Sequence, residues 1–281
     1  MSNPMMIVST LDELRSARAI LNEPVGLVPT MGFLHEGHLS LVRRAREECA
    51  SVAVSIFVNP TQFSPEEDLD SYPRDLERDL GLLERLGVNL VWTPTPGIMY
   101  PSGYQTWVQV DALTKPLEGA QRPGHFRGVT TVVTKLFNGV QPDRAYFGQK
   151  DAQQVAVIHR MALDLNFPLE VVVCPTVREE DGLAMSSRNK YLGPDERQAA
   201  TVLYRALSAA GDAHAGGERD AEKLRTLMRE IIAAEPLAVA QYVSCADYDT
   251  LEELKTIRGK SLLSMAVFVG STRLIDNFIL G

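Results

Sequence analysis

The sequence predicts an α/β fold in which a parallel-sheet domain is followed by a smaller α+β domain with an antiparallel sheet. Over roughly the first 175 residues, short β-branched runs alternate with helical patterns, as strands and crossover helices do in a parallel sheet. After about residue 177, a polar loop leads to two helical stretches and then three strand-like runs. This change of pattern predicts one domain over residues 1–176 and a second over 177–281.

The predicted elements of the first domain follow from apolar spacing. Its strands are expected at VGLVPT (25–30), VAVSIFV (52–58), GVNLVW (87–92), RAYFG (144–148) and LEVVVCPT (169–176). Helical spacing predicts helices over 38–50 and 151–165, and Asp151 is suited to cap the second one.

The second domain is predicted from residue 195 onward. Its two helices are expected over 195–210 and 219–234, after the polar loop and Pro194. Its three strands are expected in AQYVSCAD, SLLSMAVFVG and TRLIDNFIL. Helices followed by consecutive strands are typical of an α+β arrangement.

Charge and composition restrict the function. With 28 Lys and Arg against 36 Asp and Glu, the formal net charge is −8, which argues against a broad nucleic-acid-binding surface but leaves room for a local anion pocket. The start of the chain lacks the pattern of a secretion signal, and no window offers about 18 consecutive apolar residues. We therefore expect a cytoplasmic protein without membrane partners.

The three cysteines, Cys49, Cys174 and Cys245, are odd in number and far apart. Neither a disulfide framework nor a four-cysteine metal site is indicated. We expect them to be buried as small apolar residues.

The turn PTMGFLHEGH (29–38) joins the first predicted strand to its helix, where ligands bind in open α/β sheets. Gly32 and Gly37 permit close backbone approach, and a helix beginning near His38 would offer free N–H groups to phosphate. His35 and His38 could add hydrogen bonds. Zinc is the alternative for paired histidines, but H-E-G-H is not the helical H-E-x-x-H pattern and no third ligand is near.

The second polar turn, SIFVNPTQF (55–63), ends an apolar strand in Asn59 and Gln62. Their amides suit the orientation of a hydroxy acid or a carboxylate, because they donate and accept hydrogen bonds without charge. A simple Asn-Pro turn is the alternative interpretation.

Two further segments are candidates for phosphate binding. In AYFGQKDAQQ (145–154), Lys150 follows a strand and could neutralise phosphate charge, or could be a solvated surface lysine. In DGLAMSSRN (181–189), two hydroxyls beside Arg188 could bind departing pyrophosphate, or the segment could be an ordinary exposed loop.

The H-x-G-H turn followed far downstream by an M-S-S-R loop resembles the paired signatures of the nucleotidyltransferase superfamily, which includes class I aminoacyl-tRNA synthetases. Within that superfamily, the chain resembles the pantothenate synthetase family over most of the first domain and its exit loop. The matching segments are, in order, PTMGFLHEGH, FVNPTQF, RPGHFRGV, YFGQKDAQQ and PTVREEDGLAMSSRN.

This resemblance implies a Rossmann-like first domain that binds nucleotide and pantoate, and a mobile loop of the second domain that covers ATP. It implies that ATP drives the condensation of pantoate with β-alanine through a pantoyl adenylate, releasing AMP and pyrophosphate. It also implies Mg with ATP and a homodimer. No all-protein metal site is expected; Asp75 and Asp79 either contribute to Mg binding or belong to a solvated helix face.

The resemblance also assigns the site residues. His35, His38, Lys150 and Arg188 form the catalytic set; His38 takes the position of the family's proton donor, which we interpret as a stabiliser of transition-state charge. Gln62 and Gln154 correspond to pantoate-binding amides, and Gln62 also lies near β-alanine. RPGHFRGV (122–129) is expected to support the pocket, and His125 and Arg127 could contact substrate but are left outside the set of site residues. The ATP positions are Met31, Gly32, Phe33, Leu34, His35, Glu36, Gly37, His38, Gly148, Gln149, Lys150, Asp151, Val177, Met185, Ser186, Ser187 and Arg188.

Two other functions stay open at the level of sequence. A nucleotidyltransferase that adds AMP or CMP to a phosphorylated substrate would share the phosphate-binding turns. An RNA-binding relative of the synthetases, or a noncatalytic protein, is disfavoured by the acidic balance and by the small second domain.

Overall fold

The computed structural model describes residues 4–64, 67 and 69–281. The chain divides into two compact units. The first unit comprises Met1–Thr114, Glu118–Gly148 and Gln154–Cys174, and the second comprises Lys115–Leu117, Gln149–Gln153 and Pro175–Gly281. The predicted α/β class, with a parallel sheet followed by a small antiparallel one, is confirmed.

In its described residues, the first unit contains a six-stranded sheet with the order β1-β4-β3-β2-β5-β6 and parallel pairing throughout. The chain moves outward from β2 to β3 and β4, and then returns to the other side of β2 at β5. The strand order therefore reverses between β2 and β5, which is where ligands bind in such sheets. The strands are β1 (Met6–Val8), β2 (Val25–Thr30), β3 (Ser51–Ile56), β4 (Leu90–Trp92), β5 (Arg144–Gly148) and β6 (Glu170–Cys174).

Helices cover both faces of this sheet, and successive residues of β2 belong to different cores. Leu27 packs with Trp92 and Phe137 in one apolar cluster, whereas Val28 packs with Val42 in another. Burial on both faces explains why these strands are continuous apolar runs. The helices are α1 (Leu11–Arg18), α2 (Glu36–Glu48), α3 (Leu76–Arg85), α4 (Pro96–Met99), α5 (Glu118–Gln121), α6 (His125–Val140) and α7 (Ala152–Asp164).

The second unit has an antiparallel sheet in the order β7-β8-β9. Its apolar core joins one face of the sheet, including Met265 and Val267, to helix residues such as Leu207 and Leu224. This pairing of helices with one sheet face is the expected α+β architecture. Its elements are α8 (Pro194–Ala199), α9 (Val202–Ala215), α10 (Ala221–Ala233), β7 (Ala238–Asp247), β8 (Ser261–Val269) and β9 (Thr272–Leu280).

Some predicted bounds were wrong. The helix expected over 195–210 is divided between α8 and α9, which are separated at residues 200 and 201. The helix expected from residue 38 begins at Glu36, because the His35 side chain caps it. The predicted burial of the three cysteines is confirmed. Among the described residues, no helix is both long enough and apolar enough to span a membrane.

Candidate functional site

The turn after β2 has an unusual backbone that a buried carboxylate supports. Gly32 has φ of +82° and Phe33 has φ of +50°, so two consecutive residues are left-handed. Such a conformation costs free energy for a residue with a Cβ atom such as Phe33. Asp79 of α3 accepts hydrogen bonds from the backbone N–H groups of Phe33 at 2.6 Å and Leu34 at 2.8 Å. The carboxylate thereby stabilises the turn that leads to the two histidines.

Asp79 does not match either role considered for it from sequence. Its side chain is 1% exposed, so it is not part of a solvated helix face. Its two oxygens bond to the turn, and burial raises its pKa despite these hydrogen bonds. Asp75, by contrast, is exposed and caps α3 by accepting a hydrogen bond from the backbone N–H of Arg78. Both carboxylates therefore have structural partners.

The two predicted histidines lie together at the start of α2. His35 is the N-cap residue, and its Nδ1 accepts a hydrogen bond from the backbone N–H of Gly37 at 3.2 Å. The Nδ1 of His38 accepts reciprocally from the backbone N–H of His35 at 3.3 Å. The ring centroids are 4.1 Å apart. The imidazoles thus form a capping box, a role that Ser and Glu usually fill.

These hydrogen bonds assign the protonation of both rings. A nitrogen that accepts a backbone N–H carries no proton, so each neutral ring has its proton on Nε2. The Nε2–H groups are therefore donors, and they lie at a helix N-terminus whose dipole favours an anion. This chemistry suits hydrogen bonding to phosphate oxygens better than complete proton transfer.

Gln62 lies in the turn after β3, where the 3₁₀ turn Pro60–Gln62 follows Asn59. The Nδ2 group of Asn59 donates to Gln62 Oε1 at 3.0 Å, and Asn59 is 1% exposed. The Tyr100 hydroxyl donates to Asn59 Oδ1 at 2.8 Å. Because Oε1 of Gln62 accepts from Asn59, its Nε2 group is the part of the amide that can donate to other groups. This relay fixes the amide orientation of a predicted ligand-binding residue.

The start of α6 supports the same turn from its backbone side. His125 donates from Nδ1 to the carbonyl of Gln62 at 2.8 Å, and Arg122 donates to Nε2 of His125 at 3.1 Å. A Cβ atom on Gly128 would approach Thr61 O to 2.4 Å, so this position requires glycine. RPGHFRGV therefore contacts the turn through Arg122, His125 and Gly128. Arg127 instead lies over the Trp107 ring, with its Cζ 4.4 Å from the centroid.

The structure brings the two polar turns of the first unit into contact. The Gln62 Nε2 group lies 3.3 Å from Met31 Sδ, which joins the turn after β3 to the turn after β2. Gly148 ends β5, the strand on the other side of β2. Gln154 is half-buried in the first turn of α7. The first-unit candidates thus lie at or just after the carboxyl ends of strands, as expected in an α/β fold.

The remaining candidates belong to the second unit. Gln149, Lys150 and Asp151 form a 3₁₀ turn, here called the lysine turn, in which the Lys150 side chain is 20% exposed. Met185 donates its backbone N–H to Val177 O at 3.0 Å. Ser186 caps the following 3₁₀ turn by accepting from the backbone N–H of Arg188 at 3.3 Å. Ser187 is buried and Arg188 is half-buried, so this segment is hydrogen-bonded and partly covered in the structure.

Comparison with known proteins identifies the family. Residues 6–279 match the model of the pantoate–β-alanine ligase family. The chain belongs to this ligase family. It is 62% identical to a pantothenate synthetase from Roseiflexus sp. strain RS-1, over 98% of this chain and 99% of that relative. The family resemblance expected from the sequence motifs is confirmed.

Solved structures of the ligase family agree with this fold. A pantothenate synthetase from Thermus thermophilus has a TM-score of 0.94 and 51% identity, over 98% of this chain and 99% of that one. A pantoate–β-alanine ligase from Francisella tularensis, complexed with β-γ ATP and β-alanine, has a TM-score of 0.81 and 34% identity. That comparison covers 98% of this chain and 97% of the Francisella chain.

Sequence reasoning missed the residues that hold the site residues in place. Asp79 was considered only for Mg binding or as part of a solvated helix face, and Asn59 was noted without its contact to Gln62. Asp276 and Asn277 lie in an apolar strand and are 2% and 4% exposed. Two consecutive polar residues within a buried strand are the signal that could have revealed them, because buried polar groups need partners.

Proposed function

We propose that this ligase-family chain condenses pantoate with β-alanine to give pantothenate, with ATP converted to AMP and pyrophosphate. In the first step, a pantoate carboxylate oxygen attacks the α-phosphorus, and the bond to the bridging oxygen of pyrophosphate breaks. In the second step, the β-alanine amine attacks the acyl carbon, AMP departs with the bonding electrons, and the amine nitrogen loses a proton to solvent. Family membership over residues 6–279 supports this reaction.

His35 and His38 are proposed to bind the triphosphate through their Nε2–H groups. Both rings are fixed by backbone hydrogen bonds to Nδ1, so their donors are oriented before the substrate arrives. Donors that are already oriented stabilise developing charge without reorganisation during the reaction. The dipole of α2, whose positive end lies at this turn, adds to this effect. His38 then acts as a stabiliser of transition-state charge.

Gln62 and Gln154 are proposed to bind pantoate, with Gln62 also near β-alanine. The amide of Gln62 has a defined orientation because Asn59 donates to its Oε1 atom. Its Nε2 group is then a donor for a hydroxyl or carboxylate oxygen. Neutral amides position a carboxylate without reducing its nucleophilicity by ion pairing.

The lysine turn and the segment from Met185 to Arg188 are proposed to complete the ATP site. Lys150 and Arg188 supply positive charge for the triphosphate, and Ser186 and Ser187 supply hydroxyls for pyrophosphate oxygens. This assignment rests on the family positions carried over to this sequence. The mobility of the loop that precedes Arg188, the homodimer and the cytoplasmic location are proposed on the same basis.

Mg is proposed to enter bound to ATP. Among residues 4–64, 67 and 69–281, no group of three or more His, Cys, Asp or Glu side chains could hold a metal ion. Mg²⁺ commonly uses substrate phosphates and water with few protein ligands, so these residues fit a metal held mainly by the nucleotide. Its chemistry would be to neutralise phosphate charge.

The single geometric observation that favours this function is the contact between Gln62 and Met31, which joins the carboxylate-orienting turn to the histidine turn. An AMP assay with pantoate and ATP tests the reaction. We expect one AMP released per turnover only when β-alanine is present. AMP release that does not depend on β-alanine, or pyrophosphate release without pantoate, would contradict the proposal.

A further inference from the structure

Asn277 holds the lysine turn through three hydrogen bonds. Its Nδ2 group donates to the carbonyl oxygens of Gln149 at 3.0 Å and Lys150 at 2.9 Å. Its Oδ1 atom accepts from the Gln149 side chain at 3.0 Å. All the polar atoms of the Asn277 amide are thus directed at two consecutive residues. The backbone beside Lys150 is fixed to β9.

Asp276, the preceding residue, holds a different segment. Its carboxylate forms a two-point ion pair with Arg178, with N–O distances of 2.6 and 2.9 Å. Arg178 also donates to Gly182 O at 3.0 Å and forms an isolated β-bridge with Ala184. The guanidinium lies 5.1 Å from the centroids of the Tyr204 and Phe278 rings. Asp276 therefore fixes the hairpin of residues 178–184, which leads directly into Met185.

These two residues point to opposite faces of β9, because side chains alternate along a strand. Asp276 pairs in register with the core residue Met265, whereas Asn277 pairs with Ser264. One strand thus holds the lysine turn from one face and the hairpin before Arg188 from the other. Both contacts lie entirely within the second unit.

We propose that Asp276 and Asn277 are positioning residues for adenylate formation, setting Lys150 and the segment ending in Arg188 relative to one another. The inference rests on the proposed roles of Lys150 and Arg188 in ATP binding. Placing charged groups accurately matters because a displacement of about 1 Å can lower a rate about a hundredfold. The near-complete burial of both polar side chains accords with an orienting role, since an unbonded polar group there would be costly.

A double-mutant cycle tests the inference. Asn277→Ala should lower the rate of pyrophosphate release at saturating ATP and pantoate by about 10- to 100-fold. The KM for pantoate should stay unchanged, because Gln62 is not part of this network. In a Lys150→Ala background, the same substitution should have no further effect on the rate. If Asn277→Ala lowered the rate in the Lys150→Ala background by the same factor as in the wild type, positioning through Lys150 would be refuted.

Asp276→Asn tests the other face in the same way. It keeps the side-chain shape but removes the charge that pairs with Arg178. The substitution should lower the rate of pyrophosphate release in the wild-type background but not in an Arg188→Ala background. Ser264→Ala is the matched control, because Ser264 lies opposite Asn277 and its buried hydroxyl has no hydrogen-bond partner among the described residues. The control should retain the wild-type rate; a loss equal to that of Asn277→Ala would indicate general disruption of the sheet and overturn the inference.

Folding is checked by thermal unfolding of each variant. If Asn277→Ala is unfolded at the assay temperature, Gln149→Met replaces it in the cycle, because it removes the side-chain bond to Asn277 and keeps the two bonds from Asn277 to backbone carbonyls. Normal pyrophosphate release by Lys150→Ala itself would refute the proposed function at that residue. Impaired Lys150→Ala with an unimpaired, folded Asn277→Ala would refute only the positioning inference.

Discussion

The Asn59 amide lies 3.0 Å from the Gln62 amide and donates to its Oε1 atom, so a buried residue fixes the direction of a proposed substrate ligand. The same Nδ2 group donates to Gly128 O at 3.2 Å. Its Oδ1 atom accepts from the hydroxyls of Tyr100 and Thr61. Asn59 therefore connects the start of α6 and Tyr100 to the orientation of one side chain.

Asn59→Asp should impair pantoate binding. The substitution conserves shape but places a carboxylate oxygen against two acceptors, Gln62 Oε1 and Gly128 O. We expect the KM for pantoate to rise about 10- to 100-fold, in keeping with the loss of one or two hydrogen bonds. Steady-state kinetics with pantoate and ATP varied separately would measure it. Tyr100→Phe, which removes one bond to Asn59 Oδ1, should raise the KM for pantoate less. If Asn59→Asp raised the KM for ATP as much as the KM for pantoate, the assignment of Gln62 to pantoate binding would be contradicted.

His35 has two separable roles, which His35→Asn and His35→Ala should distinguish. Asparagine is a favoured N-cap residue, so His35→Asn should retain helix stability, whereas His35→Ala should lose about 1 kcal/mol. Both variants remove the imidazole Nε2–H donor and should slow adenylate formation about 10²- to 10³-fold. Thermal unfolding and pyrophosphate release measure the two properties. If His35→Asn retained both helix stability and the wild-type rate while His35→Ala lost both, a phosphate-binding role of His35 would be contradicted.

Asp79→Ala should destabilise the histidine turn. It leaves the backbone N–H groups of Phe33 and Leu34 without their acceptor, and Leu34 is 1% exposed. We expect a loss of about 2–4 kcal/mol in unfolding free energy and a higher KM for ATP. Asp75→Ala, which removes only the cap of the same helix, is the control and should cost about 1 kcal/mol. Equal effects of the two substitutions on the KM for ATP would be evidence against the supporting role of Asp79.

His125 should make stability depend on pH. Burial, followed by the nearby charge of Arg122, lowers its pKa from 6.5 to about 4, although the Gln62 carbonyl and two glutamates oppose this. The unfolded chain therefore binds a proton that the folded chain does not. The contribution of neutral His125 is present above pH 6.5 and is lost as the pH falls toward 4.

Between pH 7 and pH 5, this residue should reduce the unfolding free energy by about 2 kcal/mol. Denaturant unfolding at the two pH values measures the change. His125→Asn keeps a donor for the Gln62 carbonyl but does not titrate. The unfolding free energy of this variant should therefore decrease by about 2 kcal/mol less between pH 7 and pH 5 than that of the wild type. Identical pH dependence in both proteins would show that His125 does not titrate on unfolding.

Much of the fold could be predicted because strands buried on both faces are continuous apolar runs. The β2 bounds, Val25–Thr30, and the β5 bounds, Arg144–Gly148, coincide with their predicted runs. The three-residue strand β1 and helix α1 were not predicted, because each offers too few residues to establish a period. The division at residues 200 and 201 was missed because helical spacing continues across it.

The candidate site was predictable where function requires unusual residues in turns. The histidines of the turn after β2, and Gln62 after β3, stand out as polar groups beside apolar strands. Their supporting residues could not be found in this way, because the contacts join distant segments: Asp79 to Phe33, and Asn277 to Lys150. The sequence contains no local sign of which buried polar residue will meet which backbone group.

The most direct test of the proposed chemistry is the fate of the pantoate carboxylate oxygen. With pantoate labelled by ¹⁸O in its carboxylate, attack on the α-phosphorus should place one labelled oxygen in AMP and none in pyrophosphate. Mass spectrometry of both products after turnover with ATP and β-alanine would measure this. Label absent from AMP, or found in inorganic phosphate with ADP as the nucleotide product, would contradict an acyl-adenylate mechanism.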